Sequence, residues 1–285
     1  PTGRGAAGAS GVRVSGDDYS ASLSSKSGDI VLNGTVRDWA TDDLVGEAAG
    51  GAGVSITGAE LSTGGSLRIS GQGGDLSGMA SGLPDLATSL STAFTVQASH
   101  GVLIDGSRLE AGAGRSIEIS GTAGSAGFGV DETGAPVTFQ PLDLDVTPFA
   151  VQVRSQQEAD GLHAAGGTIT IAAGTGDVRL TAGGYDSPLL DVVSTTGVGG
   201  HIGVSGRNIL AETAADIPRL ADASGQAGGG SIDIHGATAP GAGNEDSGVV
   251  AIGSALSLQA NALGGTGNGG SIRVVGDRSL RAFGS

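Results

Sequence analysis

The sequence has no cysteine and few aromatic residues, the side chains from which many enzymes build metal sites and bulky cores. Zero cysteines among 285 residues exclude disulfide bonds and thiolate metal sites, and they leave the redox compartment open. Aromatic residues amount to 3% of the chain, which disfavours one large core. The hydrophobic fraction of 38% consists mostly of alanine, valine, isoleucine and leucine, and it favours many thin, repeated layers.

Basic residues are also scarce, with 14 lysines and arginines against 29 acidic residues, and Lys26 is the only lysine. The resulting net charge of −15 excludes nucleic acid and anionic membrane as expected partners, because both require clustered positive charge. No apolar run approaches the ~18 residues of a membrane helix. The chain begins at Pro1 without a methionine or signal peptide, so we expect a segment of a longer protein or a processed product.

Glycine is the residue present in excess, with 56 copies, about a fifth of the chain against a usual ~7%. Many of these glycines bracket a short repeat, and its reference copy is G-G-S-I-D-I-H-G at Gly229 to Gly236. Each copy contains a glycine turn, a short alternating strand and, in most copies, a closing glycine. Further copies begin at Gly11, Gly28, Gly64, Ala113, Gly166, Gly199 and Gly269.

The repeat has no fixed period. The step from Val12 to Ile30 is 18 residues, whereas that from Ile117 to Ile169 is 52. A constant strand followed by a segment of variable length predicts a solenoid of stacked coils with loops inserted in some turns. The first apolar residues of the copies are Val12, Ile30, Leu67, Ile117, Ile169, Ile202, Ile232 and Ile272.

Alternation within the strand predicts that its isoleucines and valines point inward and stack in two columns. The residues expected inward are Ile117, Ile119, Ile169, Ile171, Ile202, Val204, Ile232 and Ile234. A second strand is predicted at V-S-I-T, V-L-I-D, V-R-L-T, N-I-L-A and L-S-L-Q, which begin at Val54, Val102, Val178, Asn208 and Leu256. A third is predicted at E-L-S-T, R-L-E-A and R-L-A-D-A, which begin at Glu60, Arg108 and Arg219.

Three strands and three corners per coil indicate an all-β, triangular parallel β-helix. A glycine after the first strand is predicted to turn the corner with a positive φ, which glycine adopts without steric cost. The predicted structural corner glycines are Gly16, Gly34, Gly71, Gly121, Gly206, Gly236 and Gly276.

Proline-rich and glycine-rich stretches near residues 72–93, 122–148, 211–218 and 237–247 are predicted to be loop insertions, and nothing in the composition indicates a second domain. The 122–148 insertion is the predicted binding segment, because loops carry binding residues more often than scaffold strands do. Its acids could bind a divalent cation weakly or keep the loop soluble. The candidate binding residues are Phe128, Asp131, Glu132, Phe139, Asp143 and Asp145.

The evidence for catalysis is weak. The four histidines lack a second histidine at helical spacing and are interpreted as exposed polar residues, and no G-x-S-x-G motif supports a nucleophilic serine. Sugar-cleaving enzymes need paired carboxylates and aromatic platforms, whereas the acids here are scattered. Arg68 and Glu118 occupy equivalent positions and are predicted to pair across coils. We therefore predict neither an enzyme nor a cofactor nor a metal site.

The repeats G-G-S-I-D-I-H-G, G-N-G-G-S-I-R-V-V-G and S-L-Q-A-N-A-L-G-G-T-G-N-G-G resemble the passenger repeats of filamentous-haemagglutinin-type exoproteins, the large adhesins of Gram-negative two-partner secretion. The resemblance is one of pattern and composition over nearly the whole chain, and autotransporter passengers share much of it. It implies a right-handed parallel β-helix, export through an outer-membrane pore, and a role in adhesion, biofilm or surface fibres. The N-terminal secretion domain of that family, with its Asn-Pro signature, is not in this sequence.

These observations together predict a non-catalytic structural or adhesive segment located outside the cell or on the surface of a Gram-negative bacterium. The expected partner is a host or neighbouring-cell surface or glycan, with end-to-end self-association as a further expectation. Two alternatives are a β-helical polysaccharide-active enzyme and a calcium-stabilised extracellular matrix or surface-layer protein.

Overall fold

The computed structural model describes most of the repeat copies and the strands between them. Its described residues are 2–5, 10–17, 19–37, 51–74, 99–124, 128–130, 136–138, 149–157, 159–183, 187–213, 219–238, 247–253 and 256–283. Within these ranges the regular structure is β-strand. Apart from one antiparallel hairpin, the strands pair in parallel and form three sheets.

Sheet 1 contains the strand of the glycine-bracketed repeat. In the described part of the chain it has eight strands, β1 (Thr2–Gly5), β4 (Ile30–Val36), β7 (Leu67–Gln72), β10 (Ser116–Thr122), β15 (Thr168–Ala172), β18 (His201–Gly206), β21 (Ser231–Gly236) and β24 (Ser271–Gly276).

Sheets 2 and 3 contain the second and third strands of each coil. Sheet 2 consists of β2 (Val12–Ser15), β5 (Ala52–Thr57), β8 (His100–Asp105), β13 (Val151–Arg154), β16 (Val178–Ala182), β19 (Ile209–Thr213), β22 (Val249–Gly253) and β25 (Ser279–Phe283). Sheet 3 consists of β3 (Ala21–Ser25), β6 (Ala59–Thr63), β9 (Arg108–Glu110), β14 (Gly161–His163), β17 (Leu190–Asp191), β20 (Arg219–Asp222) and β23 (Ser257–Gln259).

The chain passes through sheets 1, 2 and 3 in turn and then begins the next coil directly beside the previous one. This is a right-handed parallel β-helix with three strands per coil, as predicted. Coils are numbered here from coil 1 (β1, β2 and β3) to coil 8 (β24 and β25).

The core is the stack of inward side chains from the three sheets, and the predicted columns of sheet 1 are confirmed. Ile117 pairs with Ile169, Ile169 with Ile202, and Ile202 with Ile232. All eight residues expected inward on these strands are at most 2% exposed. Each such aliphatic side chain contributes about 1.5 to 3 kcal/mol on burial, so the column stabilises neighbouring coils together.

Two strand assignments made from the sequence are wrong, and the corner assigned to one glycine changes with them. Val12 pairs with Val54 and therefore lies in sheet 2, one strand later than predicted. Gly16 follows that strand, and its N–H donates to the Thr57 carbonyl at 3.0 Å, so it turns the corner between sheets 2 and 3. The segment L-S-L-Q forms β23 in sheet 3, not a second strand. The repeat at Gly11 is short enough to fit either sheet, and alternation alone does not distinguish the sheets of a triangular coil.

Candidate functional site

The loop predicted to carry binding contains the antiparallel hairpin of β11 (Phe128–Val130) and β12 (Pro136–Thr138). Phe128 pairs with Thr138 through the backbone of this hairpin. The other candidate binding residues, Asp131, Glu132, Phe139, Asp143 and Asp145, lie outside the described residues. The binding role of this loop therefore stays a prediction.

Six of the seven predicted corner glycines stack in register, but the reason given for them is wrong. Gly34 pairs with Gly71 and Gly71 with Gly121, and the set Gly206, Gly236 and Gly276 pairs in the same way. None of these six has a positive φ. These glycines occupy inward positions, and in most coils the first residues of a sheet-2 strand pack against them. A Cβ at Gly121, for example, would lie 2.7 Å from the carbonyl carbon of Ala150.

A groove runs along the outside of sheet 3 in the first five coils. It has a volume of about 410 Å³, and residues from all five coils contribute to it. Its lining is Ser25, Ser62, Thr63, Gly64, Glu110, Ala111, Gly112, Ala113, His163, Ala165 and Asp191. This volume falls in the range of small-molecule sites, so the groove is the candidate functional site of the described chain.

One wall of the groove is a ladder of polar side chains at equivalent strand positions. Ser62 pairs with Glu110, Glu110 with His163, and His163 with Asp191. Adjacent members therefore come from adjacent coils, which stack about 4.8 Å apart. Asp222 continues the column beyond the groove, where it is 7% exposed.

Both carboxylates that line the groove are held by neighbouring groups. Glu110 Oε2 lies 3.2 Å from Arg108 Nη2 on the same strand. Asp191 Oδ1 accepts the Val193 N–H at 2.9 Å, while its Oδ2 lies 3.6 Å from His163 Nδ1. These contacts orient both carboxylates, and Glu110 Oε1 and the second lone pair of Asp191 Oδ2 can still accept hydrogen bonds.

His163 lies between the two carboxylates. Its Nε2 is 3.3 Å from the Ala159 carbonyl oxygen and its Nδ1 is 3.6 Å from Asp191 Oδ2, so both ring nitrogens face an oxygen acceptor. The side chain is only 19% exposed. The interpretation of the histidines as exposed polar residues is therefore wrong for His163 and for the partly buried His100, whereas it is confirmed for His201 on sheet 1.

The opposite side of the groove is made of small residues. Ala113 and Ala165 are exposed there, and Gly64 and Gly112 stack too closely for larger side chains. The ladder could have been found from the sequence by extending the alignment of third strands. Placing G-L-H-A (161–164) and L-L-D-V (189–192) under R-L-E-A puts His163 and Asp191 in the column of Glu110.

A second polar cluster fastens the corner between sheets 2 and 3. The Tyr19 hydroxyl in coil 1 donates to Asp160 in coil 4, whose other carboxylate oxygen accepts the N–H groups of Gln156 and Gln157. Burial, and then the bonded carboxylate of Asp160, raise the pKa of Tyr19. Tyr19 has a φ of 60°, a left-handed conformation that a non-glycine residue rarely adopts. The cluster therefore links coil 1 to coil 4, and we interpret its role as structural.

Several exposed charges pair across coils. Arg68 Nε lies 3.3 Å from Glu118 Oε2, which confirms the predicted pair on sheet 1. In the ranges that the structure describes, no group of three or more histidine, aspartate or glutamate side chains is arranged to hold a metal ion. No helix among the described residues is long and apolar enough to cross a membrane.

Comparisons with known proteins identify no relative. No family model matches the sequence, no curated protein matches it, and no solved structure matches the fold.

Proposed function

We propose that the chain is a non-catalytic structural and adhesive segment of a large exoprotein, exposed outside or on the surface of a Gram-negative bacterium. The observation that carries the proposal is the regular stacking of three parallel sheets through the described coils. Such a solenoid holds its surface side chains at a fixed spacing along one axis, which suits a scaffold that presents binding residues to a partner. The repeats resemble those of filamentous-haemagglutinin-type exoproteins, and this resemblance supports the location and the secretion route.

The outward side chains of sheet 1 also support the role of a scaffold that presents binding residues elsewhere on its surface. At the middle outward position of sheet 1, the register aligns Arg68, Glu118, Thr170, Gly203 and Asp233. That face changes character from coil to coil and offers no continuous surface to a ligand. Binding is therefore expected at a local feature of the rod, either the groove of sheet 3 or the insertion that contains the hairpin.

The experiment is a cell-binding assay with the fluorescently labelled chain. We expect saturable binding to bacterial or epithelial cells, measured by flow cytometry and competed by unlabelled chain. A variant lacking residues 125–138 tests the insertion while leaving the strands of the three sheets in place. Absence of saturable binding to every cell type would refute the adhesive role. Full binding by the deletion variant would exclude the insertion as the adhesive site.

A polysaccharide-active enzyme is the second candidate, because Glu110 and Asp191 face one groove from strands two coils apart. Two coil steps of about 4.8 Å place their backbones about 10 Å apart. This backbone spacing is slightly larger than the separation between the two carboxyl groups of inverting glycosidases, which is about 6.5 to 9.5 Å. Release of reducing or unsaturated sugars from plant or bacterial polysaccharides by the parent, and not by Glu110→Gln, would favour this candidate over the adhesive one.

A further inference from the structure

We propose that the groove on sheet 3 binds an uncharged polysaccharide strand lying parallel to the axis of the β-helix. The inference rests on the proposed adhesive function and assigns it a binding site. The groove crosses five coils, from Ser25 in coil 1 to Asp191 in coil 5. Four coil steps of about 4.8 Å give it a length of about 19 Å, long enough for several sugar units in an extended chain.

The ladder presents two carboxylate acceptors to the groove. Glu110 Oε1 belongs to coil 3 and Asp191 Oδ2 to coil 5, and Arg108 and Val193 hold the other oxygen of each carboxylate. Acceptors at a fixed separation along the axis are complementary to a polymer that carries donors at regular intervals, as the hydroxyl groups of a polysaccharide do. Hydrogen bonds from neutral hydroxyls to carboxylates are charge-assisted and therefore stronger than neutral ones.

The opposite side suits the same ligand. Ala113 and Ala165 form a shallow surface without large side chains, which lets a sugar ring approach the backbone. Ser62 adds a hydroxyl that can donate to a sugar oxygen. The groove therefore offers acceptors on one wall and weakly apolar contacts on the other.

Charge and backbone pairing disfavour other ligands. The carboxylates Glu110 and Asp191 repel sulfated or uronic-acid polymers, and Arg108 is already paired with Glu110. A peptide cannot add a strand here, because β6, β9 and β14 are each paired on both sides by neighbouring coils. A polycation would be attracted by the same two carboxylates, so it is one arm of the test.

The experiment measures binding of defined oligomers to the intact chain by isothermal titration calorimetry. The neutral probes are cellohexaose and the N-acetylated chitin hexamer, the anionic probe is hexagalacturonate, and the cationic probe is spermine. We expect saturable binding of at least one neutral hexamer, with a Kd that changes less than about twofold between low and high salt because no net charge is neutralised. Hexagalacturonate is expected not to bind.

Two variants locate the ligand. Ala113→Trp fills the groove from an exposed position, and Glu110→Gln removes one charged acceptor; each is expected to raise the Kd at least about tenfold. The matched controls are Ser120→Trp and Glu118→Gln on sheet 1, and they are expected to bind as the parent does. Glu118 and Glu110 are well matched, because their side chains are 50% and 47% exposed and each contacts an arginine. Circular dichroism melting checks that all four variants fold.

The possible results separate the groove from the wider function. Loss of neutral-hexamer binding in folded Ala113→Trp, with both controls unchanged, supports the proposal. No binding of either neutral hexamer, salt-sensitive binding of spermine alone, or unchanged binding by folded Ala113→Trp overturns it. If the hexamers do not bind but the chain still adheres to cells, the groove proposal fails and the adhesive function stands. If the hexamers bind in the groove but the chain binds to no cell type, the adhesive function fails and the groove proposal stands.

Discussion

The stacked glycines of sheet 1 lead to a prediction that distinguishes two reasons for having glycine at a corner. Gly121 is the second-last residue of its strand in coil 4 and has an ordinary φ, and the backbone of Ala150 lies against it. Gly174, in the corresponding corner of coil 5, has a φ of +55°, and a Cβ there would meet nothing within 4 Å. Replacing each by alanine therefore tests lack of space at Gly121 and backbone conformation at Gly174.

The expected magnitudes follow from the geometry. A Cβ at Gly121 would lie 2.7 Å from the Ala150 carbonyl carbon and 2.9 Å from Val151 Cγ2, whereas ordinary contact begins near 3.4 Å. The obstacle is mostly backbone, so Gly121→Ala should cost about 3 kcal/mol or more, the upper end of overpacking effects. Gly174→Ala should cost about 1 to 2 kcal/mol, the penalty of a left-handed conformation for a residue with a Cβ.

Thermal melting followed by far-ultraviolet circular dichroism measures both variants, and each kcal/mol corresponds to about 2 to 4 °C in Tm for a chain of this size. Asparagine supplies the discriminating control, because it tolerates the left-handed region better than alanine does. Gly174→Asn should melt above Gly174→Ala, whereas Gly121→Asn should melt no higher than Gly121→Ala. Lack of space at Gly121 is refuted if Gly121→Ala melts at the same temperature as the parent, or if Gly121→Asn melts above Gly121→Ala.

Three further predictions concern ionisation and metal. Tyr19→Phe removes the hydroxyl donor to Asp160 and should cost about 1.5 to 3 kcal/mol, as for hydrogen bonds to charged groups. Because folding raises the pKa of Tyr19, its neutral hydroxyl contributes its full stabilisation below pH 10. The free energy of unfolding should therefore fall as the pH rises above 10 in the parent, and less so in Tyr19→Phe. Burial lowers the pKa of His100, whose Nδ1 accepts the Phe149 N–H at 3.0 Å. The free energy of unfolding should therefore fall as the pH drops below about 6.5. His100→Gln should weaken this pH dependence in urea titrations. Addition of EDTA should leave Tm unchanged; a lower Tm, restored by calcium, would support the calcium-stabilised alternative.

The strand pattern is determined by the sequence alone because it depends on local physics. Isoleucine and valine alternate with polar residues, as in Ile232 and Ile234 around Asp233, and alternation places every second side chain inward. Repetition of the pattern then predicts stacking, since each coil buries its apolar face against the next. The predicted second strands V-S-I-T and V-L-I-D and the predicted third strands E-L-S-T and R-L-E-A stack accordingly, with Val54 beside Val102 and Leu61 beside Leu109.

The sequence pattern does not assign a strand to one of the three sheets, because all three faces of a triangular coil use the same alternation. Val12 and the segment from Leu256 each lie one sheet later than predicted. The role of the corner glycines also depended on a neighbour distant in sequence. Gly121 needs to be glycine because Ala150 lies against it, and no local signal reports that approach.

The candidate site is the clearest case of a feature decided by the tertiary structure. Glu110, His163 and Asp191 are 53 and 28 residues apart in the sequence and belong to no motif. They form one wall because loops of different length return the chain to the same column, and parallel stacking then sets them one coil apart. Local alternation determined which side chains face outward, whereas the register between coils decided which of those side chains meet.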